Sequence, residues 1–265
     1  MTPAATTGPH RLRVSSVVRA GSRTYDGPDE AVTGWHQHPF HQIEWARSGL
    51  AEVETAEGRY VLAPHQALWV PALTPHQATL HHLRSIAVLF APGNEQLDAV
   101  DHVTVVAPPA VVREMTAYST RWPIDRRDDD SAAVTYFSAL ALVLADALAE
   151  PLPFRLPRSD DPVVAEAMDL TRAELTSTAL TISRRVGVSE RTLRRRFERS
   201  VGMSWQDYLG RARLLRAMVL LAETPRSVID VSTEVGFESP SGFTRAFRAL
   251  TGETPAAFRR RVTTD

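Results

Sequence analysis

The sequence is 265 residues long, 43% hydrophobic and 23% charged with a formal net charge of −1; this fits about two globular domains at roughly 150 residues each and excludes wholesale disorder. It has no cysteine, which excludes disulfides, zinc ribbons and thiol catalysis and restricts any metal site to His, carboxylate or amide oxygen. No window approaches 18 uninterrupted apolar residues and the opening MTPAATTGPHRLRV lacks a secretory apolar run, so a cytoplasmic location without a membrane partner is expected.

The near-neutral total conceals two halves of opposite sign. Residues 1–154 carry 11 Arg against 17 Asp and Glu, whereas residues 155–265 carry 19 Arg against 14; every basic residue is Arg. All nine His lie between His10 and His102. A basic C-terminal half points to an anionic partner, with phosphate first among candidates.

From residue 34 to about 107 the pattern is one of short strands. Ala51–Thr55, a turn at Glu57-Gly58 and Arg59–Leu62 form a hairpin pattern, followed by strand-type runs at Ala67–Val70, Ser85–Phe90 and His102–Val106 with prolines between them. His36 and His38 are two residues apart, so on a strand they share one face. Together with Gln42, Gly49, Pro71 and His76 this spacing resembles a cupin, with Gln42 standing where that family has Glu and Leu73 where it often has Gly. The resemblance implies a small barrel in which His36, His38, Gln42 and His76 hold a divalent transition metal. The other reading makes these histidines polar residues that line a small-molecule pocket or are satisfied by hydrogen bonds. Trp35, Trp45 and Trp69 are assigned to the pocket wall or core, and His41, His65, His81 and His82 to the surface or rim.

Pro108–Arg121 and Ser131–Glu150 have helical length and periodicity, with the charged Arg127–Asp130 stretch as a loop between them. Their apolar positions, among them Leu140 and Val143, suit either an internal core or contact with a second copy of the chain. Pro151, Pro153 and Pro157 cannot continue a helix and mark a domain boundary.

Beyond that boundary one motif is written twice. Val186-Gly187-Val188 recurs as Val235-Gly236-Phe237 at an offset of 49, and Leu193, Arg195, Phe197, Gly202, Ser204 and Tyr208 recur as Phe243, Arg245, Phe247, Gly252, Thr254 and Phe258 at an offset of 50. In the first copy Thr181 can cap a short helix, Gly187 makes a turn and Ser189 caps a second helix, Glu190–Ser200. That second helix presents Arg191, Thr192, Arg194 and Arg195, with Arg196 and Arg199 adding phosphate reach. The second copy starts at Ser227, turns at Gly236 and opens its second helix at Ser239-Pro240, presenting Ser241, Thr244, Arg245 and Arg248. Ser204–Glu223 between them is about 30 Å of helix with two apolar stripes, a strut that sets two reading heads on successive major-groove faces about 34 Å apart.

Arg211–Leu215, Val231–Phe237, Phe243–Phe247 and Gly252–Arg259 resemble the signature of AraC/XylS-type transcriptional regulators over residues 160–262. The chain departs from that family at Arg196, where an apolar residue is usual, and at Glu198, where a basic one is usual. The expectation is an α+β chain: a cupin-like barrel or jelly roll at 1–107, a helical coupling or dimerisation segment at 108–150, a linker at 151–161 and an all-α double helix-turn-helix domain at 162–265. The function this implies is a non-enzymatic regulator whose N-terminal domain senses a small molecule or metal while the C-terminal domain binds promoter DNA as a monomer or homodimer. The alternative is a metal-dependent cupin dioxygenase or isomerase fused to a helical domain; Gln42 in place of a carboxylate and the duplicated motif both speak against it.

Overall fold

The computed structural model describes residues 18–27, 30–127 and 130–263; the opening segment with His10 and the centre of the charged loop lie outside the described residues. The described chain divides into two compact units, the second taking Glu57–Arg59 and Leu156–Arg261.

The first unit is built on β1 (Ala20–Asp26), β2 (Glu30–Val32), β3 (His41–Thr55), β4 (Gly58–Leu62), β5 (Ala67–Val70), β6 (His76–Phe90) and β7 (Thr104–Val106), with a short α1 (Glu95–Asp98) before β7. The sheet runs β1-β6-β3-β4; β2 also joins β6, and β5 pairs with both β3 and β7. Two fifteen-residue strands dominate, β3 and β6, antiparallel from His41↔Phe90 to Thr55↔His76. Their pairing slips between Ala46 and Leu50, where Gly49 sits at φ +72 and an added Cβ would lie 2.2 Å from the His82 carbonyl oxygen. Only glycine fits that bulge, because both the dihedral and the close approach of the neighbouring backbone exclude a side chain.

Alternation along β3 divides its side chains between two environments. Ile43 joins Trp69, Val88 and Phe90 in one core with Leu97 of α1, Val112 of α2 (Ala110–Tyr118) and Phe137, Leu140, Leu144 and Leu148 of α3 (Ser131–Leu148). The helical segment of residues 110–148 therefore supplies an internal core to the first unit, and Leu140 has no exposed surface, while Val134 and Leu142 remain half exposed on the outer side of α3. By length and apolarity α3 could cross a membrane, with a mean hydropathy of 1.7, yet its buried third is the inner face of this core.

After β8 (Arg155–Pro157), a short strand inside the expected linker, the chain continues as helices: α4 (Pro162–Ala173), α5 (Ala179–Arg185), α6 (Glu190–Val201), α7 (Trp205–Glu223), α8 (Val228–Glu234), α9 (Pro240–Thr251) and α10 (Pro255–Thr263). Asp161, Thr178, Ser189, Ser204, Ser227 and Ser239 each accept a first-turn N–H with the side chain, which satisfies donors that a helix start otherwise leaves unpaired. The cap of α5 is Thr178 and not Thr181. The helix begins a turn earlier than expected, and Thr181 becomes the residue whose N–H the cap receives.

The duplication extends to contact geometry. Phe197 meets Tyr208 and Phe247 meets Phe258, each pair with ring centroids 5.4 Å apart. Val188 N–H donates to Ser183 O at 2.9 Å and Phe237 N–H to Ser232 O at 3.0 Å. Outside the repeat register, Arg213 Nε donates to Leu175 O at 2.8 Å and Arg259 Nε to Leu221 O at 3.2 Å. Helix α7 thus closes the first copy and opens the second, which explains why Trp205, Leu209, Leu215, Met218 and Leu221 are all buried on one helix.

Gly236 links the copies. It sits at φ +88, and a Cβ added there would meet the Arg213 guanidinium at 2.9 Å, which also lies 6.0 Å from the Phe237 ring. Gly236→Ala is therefore expected to cost about 1–2 kcal/mol, combining left-handed strain with displacement of Arg213. Urea unfolding compared with Gly187→Ala checks this, because Gly187 has the same backbone conformation but open space around it. Equal losses in the two variants would show that the Arg213 contact contributes nothing.

Candidate nucleic-acid interface and histidine cluster

Helices α6 and α9 occupy equivalent places in the two copies, each packed by two buried residues, Leu193 with Phe197 and Phe243 with Phe247. That spacing turns the remaining faces outward. On α6 the exposed side chains include Arg191, Arg194, Arg195 and Arg199, with Thr192 half-buried; on α9 they include Ser241, Arg245 and Arg248, with Thr244 half-buried. Ser189 and Ser239 are exposed but already occupied, since their Oγ atoms accept the N–H of Thr192 and Gly242 at 3.2 Å.

The arginines of the second unit separate into two classes. Arg172 bonds Asp169 and Tyr208, Arg185 pairs with Glu174 at 2.6 Å, Arg226 with Glu234 and Arg261 with Glu253 at 2.5 Å. Among the described residues Arg191, Arg194, Arg195, Arg199, Arg245 and Arg248 enter no ion pair. Six uncommitted guanidinium groups on two equivalent helices are available for bidentate contact with phosphate oxygens or with guanine O6 and N7.

Arg196 belongs to the committed class. Its Nη1 donates to Asp161 Oδ1 and Oδ2 at 3.1 and 3.3 Å, so its side chain is engaged at the start of α4 instead of extending with the others. Burial pushes the Asp161 carboxyl up, but the Val164 and Val163 N–H groups and the Arg196 charge outweigh that and hold it below its ordinary value. Sequence reasoning also missed Arg213 as the residue that holds Leu175 and the Gly236 turn together. No local signal marks it, because Leu175 lies 38 positions away along the chain.

In the first unit, His36, His38 and His76 come together, with ring centroids 4.3 Å apart for His36–His76, 5.4 Å for His38–His76 and 6.3 Å for His36–His38. The reason differs from the expected one. His36 and His38 are not on a regular strand; His36 instead forms an isolated bridge with His76, with reciprocal backbone bonds of 2.9 Å. Each Nδ1 faces a backbone carbonyl, Gly34 O at 3.0 Å, Phe40 O at 2.9 Å and Thr74 O at 2.8 Å. On His36 and His76 such bonds fix the imidazole tautomer and leave Nε2 as the free lone pair. His38 faces acceptors on both sides, with Nε2 2.8 Å from Gln42 Oε1, so its neutral ring donates to either Phe40 O or Gln42 Oε1 and not to both; Gln42 Nε2 donates to Glu44 Oε2 at 2.7 Å.

The expected ligands His36, His38, Gln42 and His76 thus share one neighbourhood, yet among the described residues no group of three or more His, Asp or Glu is arranged to hold a metal ion. Of the two places expected for the tryptophans, pocket wall or core, Trp45 and Trp69 take the core. Trp69 is fully buried and Trp45 partly buried in the core shared with α3, on the face of the sheet that strand alternation places opposite Gln42 and Glu44. Trp35 is 52% exposed. His41 and His81, read as surface or rim, are buried at 6% and 5% exposure. His41 Nε2 faces Asp98 Oδ1 at 2.9 Å and its Nδ1 accepts the Ala72 N–H at 3.1 Å, so both ring nitrogens are satisfied structurally.

Burial pushes the His76 imidazole down to about 4, with the nearby His36 and His38 adding to the effect and the Thr74 carbonyl opposing it. Burial also lowers His38, against the Gln42 and Phe40 hydrogen bonds, and raises the Glu44 carboxyl against Ser85, Gln42 and Arg23. The unfolded chain therefore binds the His76 proton more readily than the folded one between about pH 6.5 and 4. Stability present above pH 6.5 is lost as the pH falls through that window, by on the order of 2–3 kcal/mol from His76. Urea unfolding from pH 7 to 4 tests this: His76→Gln should flatten the acid limb, and an unchanged limb would assign it to other groups.

Residues 182–261 match a family described as a helix-turn-helix domain. The chain is 31% identical over 133 residues to the HTH-type transcriptional activator RhaR of Klebsiella pneumoniae, covering 47% of each chain. It is 39% identical over 71 residues to RhaR of Escherichia coli K12, covering 27% of this chain and 25% of that one. The chain thus spans about half the length, or less, of these curated relatives. A solved AraC-type transcriptional regulator from Chromobacterium violaceum is 30% identical, with 39% of this chain and 94% of that one covered and a TM-score of 0.37. The DNA-binding domain of the global transcriptional factor AdpA, solved with a target DNA, is 32% identical over 37% of this chain and 89% of that one, with a TM-score of 0.35.

Proposed function

We propose that the protein, whose residues 182–261 match a helix-turn-helix domain, is an AraC/XylS-type transcription regulator that grips promoter DNA through α6 and α9 and responds to a small effector bound by its N-terminal unit. The observation that carries the DNA reading is the set of six uncommitted arginines on two equivalent helices. Helix α7, 19 residues and about 28 Å long, fits a strut between two insertions into neighbouring major grooves. Selection of duplexes from a random pool by the full chain, followed by footprinting, tests the proposal. The expected result is two protected subsites about one helical turn apart; no enriched sequence, or a single short subsite, would defeat it.

On this reading the effector binds at the His36, His38, His76, Gln42 and Glu44 cluster, in the unit whose sequence resembles a cupin. A divalent transition ion is a second reading, favoured by one observation: all three Nδ1 atoms face backbone carbonyls, the usual way metal-binding imidazoles are oriented. His36, His38 and His76 would then hold the ion, with Gln42 Oε1 as a neutral donor. Elemental analysis of the wild type against a His36→Ala/His76→Ala variant decides, since equal near-zero metal removes the ion and leaves the small-molecule reading. On the same reading a homodimer forms through the outer side of α3, a choice supported by the half-exposed Val134 and Leu142. Leu142→Glu is the appropriate probe there, because Leu140 is committed to the core; a dimer unaffected by it would move the interface elsewhere.

A further inference from the structure

Arg196 is the one arginine of the first reading helix that the structure engages in an ion pair, and its partner is the residue that starts α4. Asp161 uses Oδ1 to receive the Val163 and Val164 N–H groups at 3.0 and 3.4 Å, and both carboxylate oxygens face Arg196 Nη1. The Asp161 side chain is 20% exposed and that of Arg196 41%, so the pair sits at the edge of the packing between α4 and α6. At the equivalent place in the second copy, at an offset of 50, stands Ala246, half-buried on α9. The first copy thus has a charged bond where the second has a small apolar side chain. A guanidinium in that position holds its carboxylate by direction as well as charge, because its planar donors are fixed relative to the helix that carries them.

We infer that Arg196 and Asp161 are positioning residues for the first reading helix: their bond sets how α6 is seated against the start of α4, and Arg196 acts on the protein instead of on DNA phosphate. The inference rests on the DNA-binding reading above and adds a division of labour within it. Arg191, Arg194, Arg195 and Arg199 face outward for contact, while Arg196 aims the helix that carries them. It also accounts for the departure from the apolar residue that AraC/XylS-type domains usually have at this position. An ion pair this exposed contributes little to global stability, so its consequence is read in sequence-specific affinity.

The experiment uses the full chain and duplexes enriched by the wild type from a random-sequence pool, with an unrelated duplex as control. Arg196→Gln removes the charge, and Asp161→Asn removes the partner while keeping a good helix cap. Each is expected to weaken binding to the enriched duplex roughly three- to tenfold, and the double variant no further than the weaker single one. Arg196→Lys should recover part of the loss, and affinity for the unrelated duplex and the salt slope should stay at wild-type values. A slope that falls by about 1 in Arg196→Gln would make Arg196 a phosphate contact and overturn the inference. So would wild-type binding by Asp161→Asn beside a weakened Arg196→Gln, or by both. Should Arg196→Gln fail to fold in thermal unfolding, Asp161→Asn and Arg196→Lys carry the same comparison. If the wild type enriches nothing, the DNA reading falls and this role with it; enrichment followed by unaltered variants defeats the pair alone.

Discussion

Phe247→Ala is expected to destabilise the helical unit by about 3–5 kcal/mol, the usual cost of emptying a buried phenylalanine site. Phe247 has no exposed surface and touches Phe243 and Phe258, with ring centroids 5.5 and 5.4 Å away. Loss of the ring opens a cavity between α9 and α10 that neither neighbour can fill without leaving its own partner. Against a typical total stability of roughly 5–15 kcal/mol, such a loss removes a large share of the folding free energy. Phe247→Leu should recover more than half of the loss, because it restores most of the apolar volume. Phe197→Ala should behave alike through its contact with Tyr208. Urea unfolding of the three variants is the measurement, and a cost under 1 kcal/mol for Phe247→Ala would mean that this ring cluster is not the core of the second copy.

Arg194→Ala and Arg195→Ala are expected to weaken operator binding by about 1–3 kcal/mol each where the guanidinium holds guanine, with relaxed preference at that base pair. Where it holds phosphate, the loss should be nearly uniform across sequences and the salt slope should drop by about 1. Among the described residues neither is paired, so removing one strands no buried partner and leaves the unfolding midpoint unchanged. Gel-shift titration at several salt concentrations separates the outcomes. Unchanged affinity in both variants would remove α6 from the reading role and leave α9 alone with it.

The helical half was largely legible before any coordinates. Its cues are local: a serine or threonine ahead of each apolar run, glycines at the turns, and phenylalanines four residues from their partners on one helix face. Their repetition at offsets of 49 and 50 multiplied each weak signal. Even so, Thr181 was read as the cap that Thr178 supplies, because two threonines three residues apart serve the pattern equally well until the first turn is built. The sheet was less legible. Strands β3 and β6 run on for fifteen residues through polar and half-buried positions, and the bulge at Gly49 resets the alternation that period-two reasoning depends on.

Taken alone, the amino-acid order determined the two-part plan, the duplicated helix-turn-helix, the caps and turns that punctuate it, and the concentration of arginine on one kind of half. All of these are set by residues within a turn or two of one another, where backbone preference and side-chain period act directly. Tertiary structure decided which arginines are free and which are spent: Arg196 and Asp161 stand 35 positions apart, Arg213 and Leu175 38 apart. It likewise decided that Trp45 and Trp69 belong to the core under α3 and that His36 meets His76 through a backbone bridge. A contact between distant positions depends on the path of the whole chain between them, and no local preference records that path.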